Sequence, residues 1–305
     1  MPALDLLVLG DCNPDLLLSG GAVEPAFGQI ERVVEEAKLV IGGSGAITAC
    51  GAARLGLRAG LVAVVGDDTF GRFMQESLAQ RGVDVSGIAV DGERPTGVSV
   101  VLVRGPDRAI LTALGTIPEL SAAVVDDEKL HTTRHLHVSS FFLQHRLRLE
   151  LPALLSSARA AGATTSIDPN WDPREEWDGG LLDALADTDV LLVNGEEAKQ
   201  IAGEDDVEAA AQKLAERGPL VVVKLGEDGA VAVSGASVVR APAIPLEVVD
   251  TVGAGDSFDA GFLAGFLGGR PLEDSLALAC ACGSLSIRAG GGTDGQPTLA
   301  QAMSA

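Results

Sequence analysis

Aromatic side chains are scarce in this chain of 305 residues, which has no tyrosine, two tryptophans and eight phenylalanines. Stacking on an aromatic ring is a common way to hold a flat ligand, and few rings are present for it. We therefore expect aliphatic side chains or backbone to hold any flat ligand. Hydrophobic residues nevertheless make up 47% of the chain, so one large domain spanning residues 1–305 can bury a substantial core.

Positive charge is also scarce. The chain has 22 lysines and arginines against 43 aspartates and glutamates, which is a formal net charge of −21. A protein this acidic repels phosphate backbones and anionic lipid surfaces. We therefore expect neither nucleic acid nor a membrane among its partners.

Cysteines are few, and long apolar runs are missing. Only Cys280 and Cys282 of the four cysteines are close in sequence, and no second cysteine or histidine pair completes a zinc site. We expect buried free thiols and a reducing cytoplasm. No uncharged apolar stretch approaches the ~18 residues that a membrane helix needs. The N-terminal segment has no cationic start and contains Asp5, Asp11 and Asp15, so we expect no signal peptide.

Short apolar runs alternate with longer helix-like segments along most of the chain. The predicted strands are 4–10, 59–65, 135–139, 164–168, 190–193 and 220–223. The predicted helices are 46–55, 70–81, 148–160, 196–201, 207–216, 256–267 and 272–287. Continuous apolar strands between helices are typical of parallel strands buried on both faces. The pattern therefore predicts an α/β fold with a doubly wound, mostly parallel sheet.

Two segments, at about 15–41 and 94–114, interrupt this alternation. The first has the pattern of strand, loop and strand, and the second that of a hairpin turning at residues 105–107. Because neither contains a helical crossover, both suit a small antiparallel sheet, either as a lid over the main sheet or as an ordinary edge hairpin. An apolar outer face, which the alternation over 98–102 allows, would let two lids pack together in a homodimer.

Two glycine clusters each precede a predicted helix, GGSGA at 42–46 and GAGD at 253–256. Glycine inside a helix costs about 1 kcal/mol relative to alanine, a cost that makes sense where an anion must approach the first N–H groups. Asp256 is then either a helix cap or a general base beside an anion site. The second interpretation favours phosphoryl transfer to a hydroxyl, although no P-loop or protein-kinase motif is present. A tight turn without any ligand is the alternative.

Several segments resemble the ribokinase-like, PfkB-type carbohydrate kinases. DTVGAGDSF at 250–258 is similar to the C-terminal signature of that family, and Asn194 with Glu197 matches its N-x-x-E motif. The similar segments in chain order are 42–46, 52–56, 65–71, 194–197, 224–230 and 250–258. The resemblance covers most of the chain and implies ATP-dependent phosphorylation of a hydroxyl on a small sugar. A nucleoside kinase and a ligand sensor without activity are alternatives on the same fold.

The resemblance also implies a role for each residue of the DTVGAGD segment. Asp256 would deprotonate the acceptor hydroxyl, while Gly253, Ala254 and Gly255 would form the anion hole for the transferring group. Asp250 lies where many family members bind a monovalent cation such as K⁺, or it is a plain turn residue.

ATP and Mg²⁺ are the other ligands that the resemblance implies. Glu197 would hold Mg²⁺ through water, and the strand that ends at Lys224 would lead into a loop that shapes the nucleotide pocket. The implied nucleotide-site residues are Asn194, Glu197, Lys224, Gly226, Gly229 and Gly255.

The acceptor is expected at the end of the first strand, because ligands of doubly wound sheets bind at the carboxyl edge. Asparagine and aspartate there offer directional donors and acceptors to sugar hydroxyls. The resemblance implies that Asp15 binds the substrate and that Gly43 and Ser44 touch it. The complete set of candidates is Asp11, Asn13, Asp15, Gly43, Ser44, Ser140 and Asp256.

Two further features are the segment 168–172 and a pair of histidines. In the segment 168–172 an aspartate, Asp172, replaces the arginine of the family pattern, and Arg174 is a candidate replacement. His135 and His137 share one face of a predicted strand, but no third ligand has suitable spacing for a metal. We interpret this histidine pair as structural.

Overall fold

Strands and helices alternate as the apolar pattern predicts in the computed structural model, which describes residues 4–104 and 107–305. The strands are β1 (Leu6–Leu9), β2 (Asn13–Gly21), β3 (Val34–Gly42), β4 (Ala59–Gly66), β5 (Asp84–Asp91), β6 (Val98–Arg104), β7 (Asp107–Ala113), β8 (His135–Ser139), β9 (Thr164–Asp168), β10 (Val190–Asn194), β11 (Leu220–Lys224), β12 (Ala230–Ser234) and β13 (Ser237–Ala241). The helices are α1 (Ser44–Arg54), α2 (Thr69–Gln80), α3 (Asp127–Thr132), α4 (Leu147–Ala160), α5 (Leu181–Ala184), α6 (Gly195–Ala202), α7 (Val207–Ala215), α8 (Ala254–Leu267), α9 (Leu272–Ser286) and α10 (Leu299–Met303).

Nine strands form the main sheet, in the order β13-β12-β11-β10-β9-β8-β1-β4-β5. All neighbours from β11 to β5 are parallel, whereas β12 and β13 add to one edge in antiparallel fashion. The predicted doubly wound α/β fold is confirmed. The strands β5, β12 and β13 are not among the predicted ones. β5 carries several polar residues and β13 is mostly exposed, whereas β12 is a buried apolar strand that the prediction missed.

Helices cover the main sheet on both faces, which explains why its strands β1, β4, β10 and β11 are almost entirely apolar. In β1, Leu6 and Val8 pack into the core on one face, while Leu7 and Leu9 pack into the core on the other. Alternate side chains of a strand point to opposite faces, so both sets are buried. All four cysteines are buried free thiols. Within residues 4–104 and 107–305, no helix is long and apolar enough to cross a membrane.

A second, four-stranded sheet has the order β3-β2-β6-β7 and contains the two segments that interrupt the alternation. The outer pairs, β2 with β3 and β6 with β7, are antiparallel, while the central pair of β2 and β6 is parallel. We call this sheet the lid sheet. The hairpin turn predicted at 105–107 includes residues 105–106, which lie outside the described part.

The order of the strands locates the site. From β1 the chain proceeds to β4 on one side of the sheet and later to β8 on the other side, and ligands of open α/β sheets bind at such a switch point. The lid sheet begins a few residues after the carboxyl end of β1 and returns through β3 directly into α1. The topology therefore brings the lid sheet and the start of α1 to the edge where β1 and β8 end.

Candidate active site

Helix α8 begins at a position where only glycine fits. Gly253 precedes the helix with φ of 71°, in the left-handed region, and a Cβ there would lie 2.6 Å from Cα of Gly292. The first N–H groups of a helix have no carbonyl partner within it. Those of Gly255 and Asp256 therefore stay available at the wall of a cavity of about 1360 Å³ that both residues line.

Asp256 lies in the first turn of α8 and is partly exposed. The Ser44 hydroxyl donates a hydrogen bond to its carboxylate. Burial raises the pKa of Asp256 to about 7, although the bond from Ser44 lowers it. A carboxylate that titrates near neutral pH is well matched to accept a proton from a hydroxyl.

The predicted acceptor residues meet around Ser44. The Asp11 carboxylate accepts a hydrogen bond of 2.9 Å from the Gly45 N–H, while Asn170 Nδ2 donates to Ser44 Oγ at 2.9 Å and to Ser140 Oγ at 3.3 Å. The sequence reasoning does not name Asn170 as a site residue. Its signal in the sequence is its place in the segment 168–172, two residues after the end of β9. A left-handed φ of 53° there brings its amide toward the switch point.

Asn13 and Asp15 lie at the start of the lid sheet rather than on the main sheet. Asn13 Nδ2 is 3.4 Å from Asp15 Oδ1 and 3.3 Å from Ser99 Oγ of the neighbouring lid strand β6. The Gly42 and Gly43 pair passes close beside them: a Cβ on Gly42 would lie 2.0 Å from Asp15 Oδ1. The lid sheet therefore contributes two buried polar side chains to the acceptor side.

The charge on the acceptor side is negative. Burial raises the pKa of Asp11, and burial raises that of Asp15 to about 7 with further contributions from Asp11, Asp256 and Asp250. In the described part of the chain, the hydrogen bonds of Asp11 and Asp15 come from backbone N–H groups, amides and hydroxyls, with no lysine or arginine among them.

On the other side of Asp256, Asn194 and Glu197 form a capping box at the start of α6. Asn194 Oδ1 accepts the Glu197 N–H at 2.9 Å, and Glu197 Oε2 accepts the Asn194 N–H at 2.8 Å. Glu197 is 4% exposed, and burial together with Asp168 raises its pKa to about 7. The predicted N-x-x-E motif is thus a capping box, held by reciprocal hydrogen bonds, that lines the cavity.

The rest of the cavity wall comes from two loops. Gly226 and Gly229 line it with φ of 61° and 89°, and a Cβ at Gly229 would lie 2.1 Å from the Ala241 carbonyl oxygen. The segment 243–248, which sequence reasoning missed because it has no regular structure, forms the facing wall. Ile244 and Leu246 contribute side chains there together with Phe258, so the wall combines aliphatic side chains with one aromatic ring.

Lys224 ends β11 and lies beneath the start of α8. Its Nζ is 2.7 Å from Asp168 Oδ2 and 3.2 Å from both carboxylate oxygens of Asp259. Asp168, Asp256 and Asp259 form a cluster with the geometry of a metal site, but the ammonium group already bonds two of these carboxylates. Sequence reasoning missed Asp259, whose only signal is one carboxylate within an apolar helix.

Asp250 and Thr251 join the start of α8 to other parts of the chain. Both Asp250 oxygens accept backbone N–H groups, from Val252 at 2.9 Å and from Gly291 at 2.8 Å. Thr251 accepts a hydrogen bond from Arg108 of lid strand β7. The lid sheet therefore reaches over to the segment that precedes the anion-binding N–H groups.

Asp172 and the histidine pair are structural. The Asp172 carboxylate accepts backbone N–H groups at 2.9 Å from Arg174 and from Trp177, among others, and so fastens a turn. Arg174 itself is exposed. His135 and His137 are fully buried, both bond Ser166 Oγ at 2.7 Å, and burial lowers their pKa values to about 3 and 4.

This arrangement has a base between a polar acceptor side and a glycine-lined cavity, and it can be compared with known proteins. A sequence model described as the pfkB family of carbohydrate kinases matches residues 3–299. The chain belongs to that family. It is therefore a kinase, a phosphotransferase that acts on sugar hydroxyls.

Relatives of this kinase differ in the acceptor that their names state. It is 34% identical to a fructokinase of Klebsiella pneumoniae over 95% of each chain. It is 32% identical to an ATP-dependent ribose-1-phosphate kinase of Halopiger xanaduensis over 92% of this chain and 91% of that one. An E. coli structure provisionally named ribokinase II, in complex with ATP and Mg²⁺, superposes with a TM-score of 0.87 at 26% identity, covering 100% and 98% of the two chains.

Proposed function

We propose that the kinase transfers the γ-phosphoryl group of ATP to a hydroxyl of a small sugar, with Asp256 as the general base. One observation carries this proposal. The Asp256 carboxylate bonds Ser44 of the acceptor side and lies in the helix turn whose N–H groups line the nucleotide-sized cavity. The base is therefore placed between the two substrates.

The transfer proceeds in one displacement. The sugar hydroxyl gives its proton to Asp256 as its oxygen attacks the γ-phosphorus, and the bond to the bridging oxygen of ADP breaks. The N–H groups of Gly255 and Asp256, at the positive end of α8, stabilise the charge on the transferring group. Ser44 bonds Asp256, and Asn170 bonds both Ser44 and Ser140. These bonds hold Ser44 and Asn170 in position to orient the sugar hydroxyl.

Mg²⁺ fits this site on the side of Glu197. The carboxylate is 4% exposed and lines the cavity close to Asn194 and Lys224, and carboxylate oxygens with water suit this hard cation. When bound, Mg²⁺ neutralises phosphate charge during transfer. Glu197 would hold it through water.

We further propose that the acceptor is an uncharged sugar. Asp11, Asp15 and Asp256 surround the acceptor position, and the bonds that hold Asp11 and Asp15 come from neutral groups. A phosphate or carboxylate on the sugar would lie among these three carboxyl groups, and negative charges repel each other strongly in a poorly solvated site.

The remaining ligands and partners are proposed on weaker contacts. Ile110 and Leu111 are exposed on lid strand β7, which supports a homodimer formed through two lid sheets. A K⁺ ion at Asp250 would have to share oxygens that already accept N–H groups. Comparing the rate in K⁺ with the rate in a bulky organic cation tests whether K⁺ binds there. A cytoplasmic location is supported by the four free thiols.

A panel of acceptors tests the function directly. ATP turnover is measured with neutral sugars, with the corresponding sugar phosphates and sugar acids, and with nucleosides. We expect turnover with at least one neutral sugar and much weaker turnover with its phosphorylated form. Preferred turnover of a nucleoside would establish the alternative activity. No transfer to any acceptor, despite ATP binding, would favour a ligand sensor and contradict the proposal.

A further inference from the structure

The Lys224 ammonium lies at the boundary between a buried carboxylate pair and the cavity. The side chains of Asp168 and Asp259 are 1% and 0% exposed, whereas that of Lys224 is 14% exposed and lines the cavity. An ammonium group has three N–H donors. Asp168 and Asp259 take two of them at 2.7 Å and 3.2 Å, which leaves the third for the cavity side.

The open side of Lys224 faces the proposed anion hole. A Cβ on Gly255 would lie 3.6 Å from Lys224 Nζ and 3.9 Å from its Cδ, with no other contact within 4 Å. The Gly255 backbone and the ammonium are therefore neighbours on the cavity wall. We expect a phosphate oxygen bound at the start of α8 to lie within reach of the ammonium.

Resting on the proposed function, we propose that Lys224 binds the γ-phosphoryl group of ATP during transfer and that Asp259 is the positioning residue that holds its ammonium there. The ammonium keeps all three protons throughout the step. The acceptor proton goes to Asp256 and the phosphoryl group moves from ADP to the sugar oxygen, so Lys224 contributes charge and a hydrogen bond only. Charged donors make the stronger hydrogen bonds to phosphate oxygens.

The electrostatics of the buried pair explain why Lys224 stays charged. Burial lowers the pKa of Lys224, but Asp168 and Asp259 raise it by more, so the net direction is upward. Burial raises the pKa of Asp259 well above its usual range, whereas for Asp168 the ammonium outweighs burial and lowers the pKa. Lys224 therefore stays charged between two buried carboxyl groups whose oxygens accept its hydrogen bonds.

Nucleotide binding without any acceptor tests Lys224 separately from the overall activity. The dissociation constants of ADP and of the β,γ-imido analogue of ATP are measured with Mg²⁺ by calorimetry for the wild type and Lys224→Met. A charged hydrogen bond to the γ-phosphate predicts about 10- to 100-fold weaker binding of the analogue, with ADP changed by less than about threefold. Lys213→Met removes an exposed lysine that pairs with Glu204 and serves as the charge-matched control.

Loss of the buried cation also leaves Asp168 without its counter-ion, which destabilises the folded state of Lys224→Met. The double variant Lys224→Met with Asp168→Asn removes both charges and retains the oxygen that accepts the Asn170 N–H. The same two dissociation constants are measured for it. An unchanged ratio of analogue to ADP affinity in a folded variant overturns the assignment of Lys224. That result would leave the kinase activity itself intact, whereas a wild type inactive on every acceptor would overturn the proposed function instead.

Two substitutions of Asp259 test its positioning role, because a purely structural role predicts no difference in kcat between them. Asparagine keeps one acceptor for Lys224 and adds one donor toward Asp168, whereas leucine offers neither. We expect Asp259→Asn to keep kcat within about threefold of the wild type and Asp259→Leu to lower it by about tenfold or more with little change in sugar KM. Equal kcat values in the two variants, or a change confined to KM, would overturn the positioning role.

Discussion

The main sheet and the lid sheet differ most clearly in two strands. Every residue of β4 in the main sheet is buried, and every residue of β7 in the lid sheet is exposed. The main sheet has helices on both faces, while the described part of the lid sheet packs on a small buried apolar cluster of Leu17, Val101 and Val252. Few buried contacts mean low local stability and easier movement. The comparison supports a rigid setting for the proposed base and anion hole, and a lid sheet that can adapt to the acceptor.

The two regions meet at the segment before α8. Val252 belongs to the lid cluster although it lies next to Gly253, and Thr251 accepts a hydrogen bond from Arg108 of the lid. Closure of the lid over a sugar would therefore act on the residues that precede the anion-binding N–H groups. Such coupling limits ATP hydrolysis when no acceptor is present.

Removal of the base is expected to have the largest effect and would test the rigid side of the comparison. Asp256→Asn retains size and hydrogen bonding but cannot take a proton, so kcat should fall about 10²–10⁴-fold while the binding of sugar and ATP changes little. Asp274→Asn, in the exposed first turn of α9, is the matched control. An Asp256→Asn variant with more than about half of the wild-type kcat would show that Asp256 is not the base.

The Mg²⁺ requirement tests the second rigid element, the capping box of α6. Glu197→Gln keeps an oxygen for the Asn194 N–H but loses the charge, so the Mg²⁺ concentration for half-maximal rate should rise about 10- to 100-fold. Glu196→Gln, on the exposed side of the same turn, is the control. Superimposable Mg²⁺ titrations of Glu197→Gln and the wild type would remove Glu197 from the ion site.

The pH dependence of kcat connects the rigid base to the acceptor side through Ser44. Asp256 must be ionised to accept a proton, and its pKa is raised to about 7, so kcat should fall as the pH drops below neutral. The bond from Ser44 lowers that pKa, and Ser44→Ala should therefore move the acid limb upward by roughly 0.5–1 pH unit. An acid limb that stays in place or moves to lower pH would contradict this contact.

The smallest effect is expected at the contact between the two regions. Arg108→Ala removes an exposed hydrogen bond, so sugar KM should rise only roughly two- to fivefold. Hydrogen exchange of 107–113 should then show less protection on sugar binding than in the wild type. Arg104→Ala is the control, because Arg104 pairs with Glu24 and Asp107 within the lid region. Equal protection with and without saturating sugar in the wild type would show that the lid sheet does not close.

Features that depend on neighbouring residues could be predicted from the sequence. The alternation of apolar strands and helices, the capping box of Asn194 and Glu197, and the turn at Gly253 all follow from local geometry. The segments that form the lid sheet were also recognisable, because they have no helical crossover. The edge strands β5 and β13 could not be predicted in the same way, since an edge strand is only partly buried and needs no continuous apolar run.

Contacts between distant parts of the chain were decided by the tertiary structure alone. Lys224 and Asp259 are 35 positions apart, Ser44 and Asp256 are 212 apart, and Arg108 and Thr251 are 143 apart. A local pattern carries no information on which side chains the sheet order brings together. The sequence by itself determined the fold class, the family motifs and the position of Asp256 at the start of α8. Only the packing of strands at the switch point decided that a buried cation, Lys224, lies beside this helix start and that a lid arginine, Arg108, bonds the segment before it, because burial and charge pairing arise only when these segments meet.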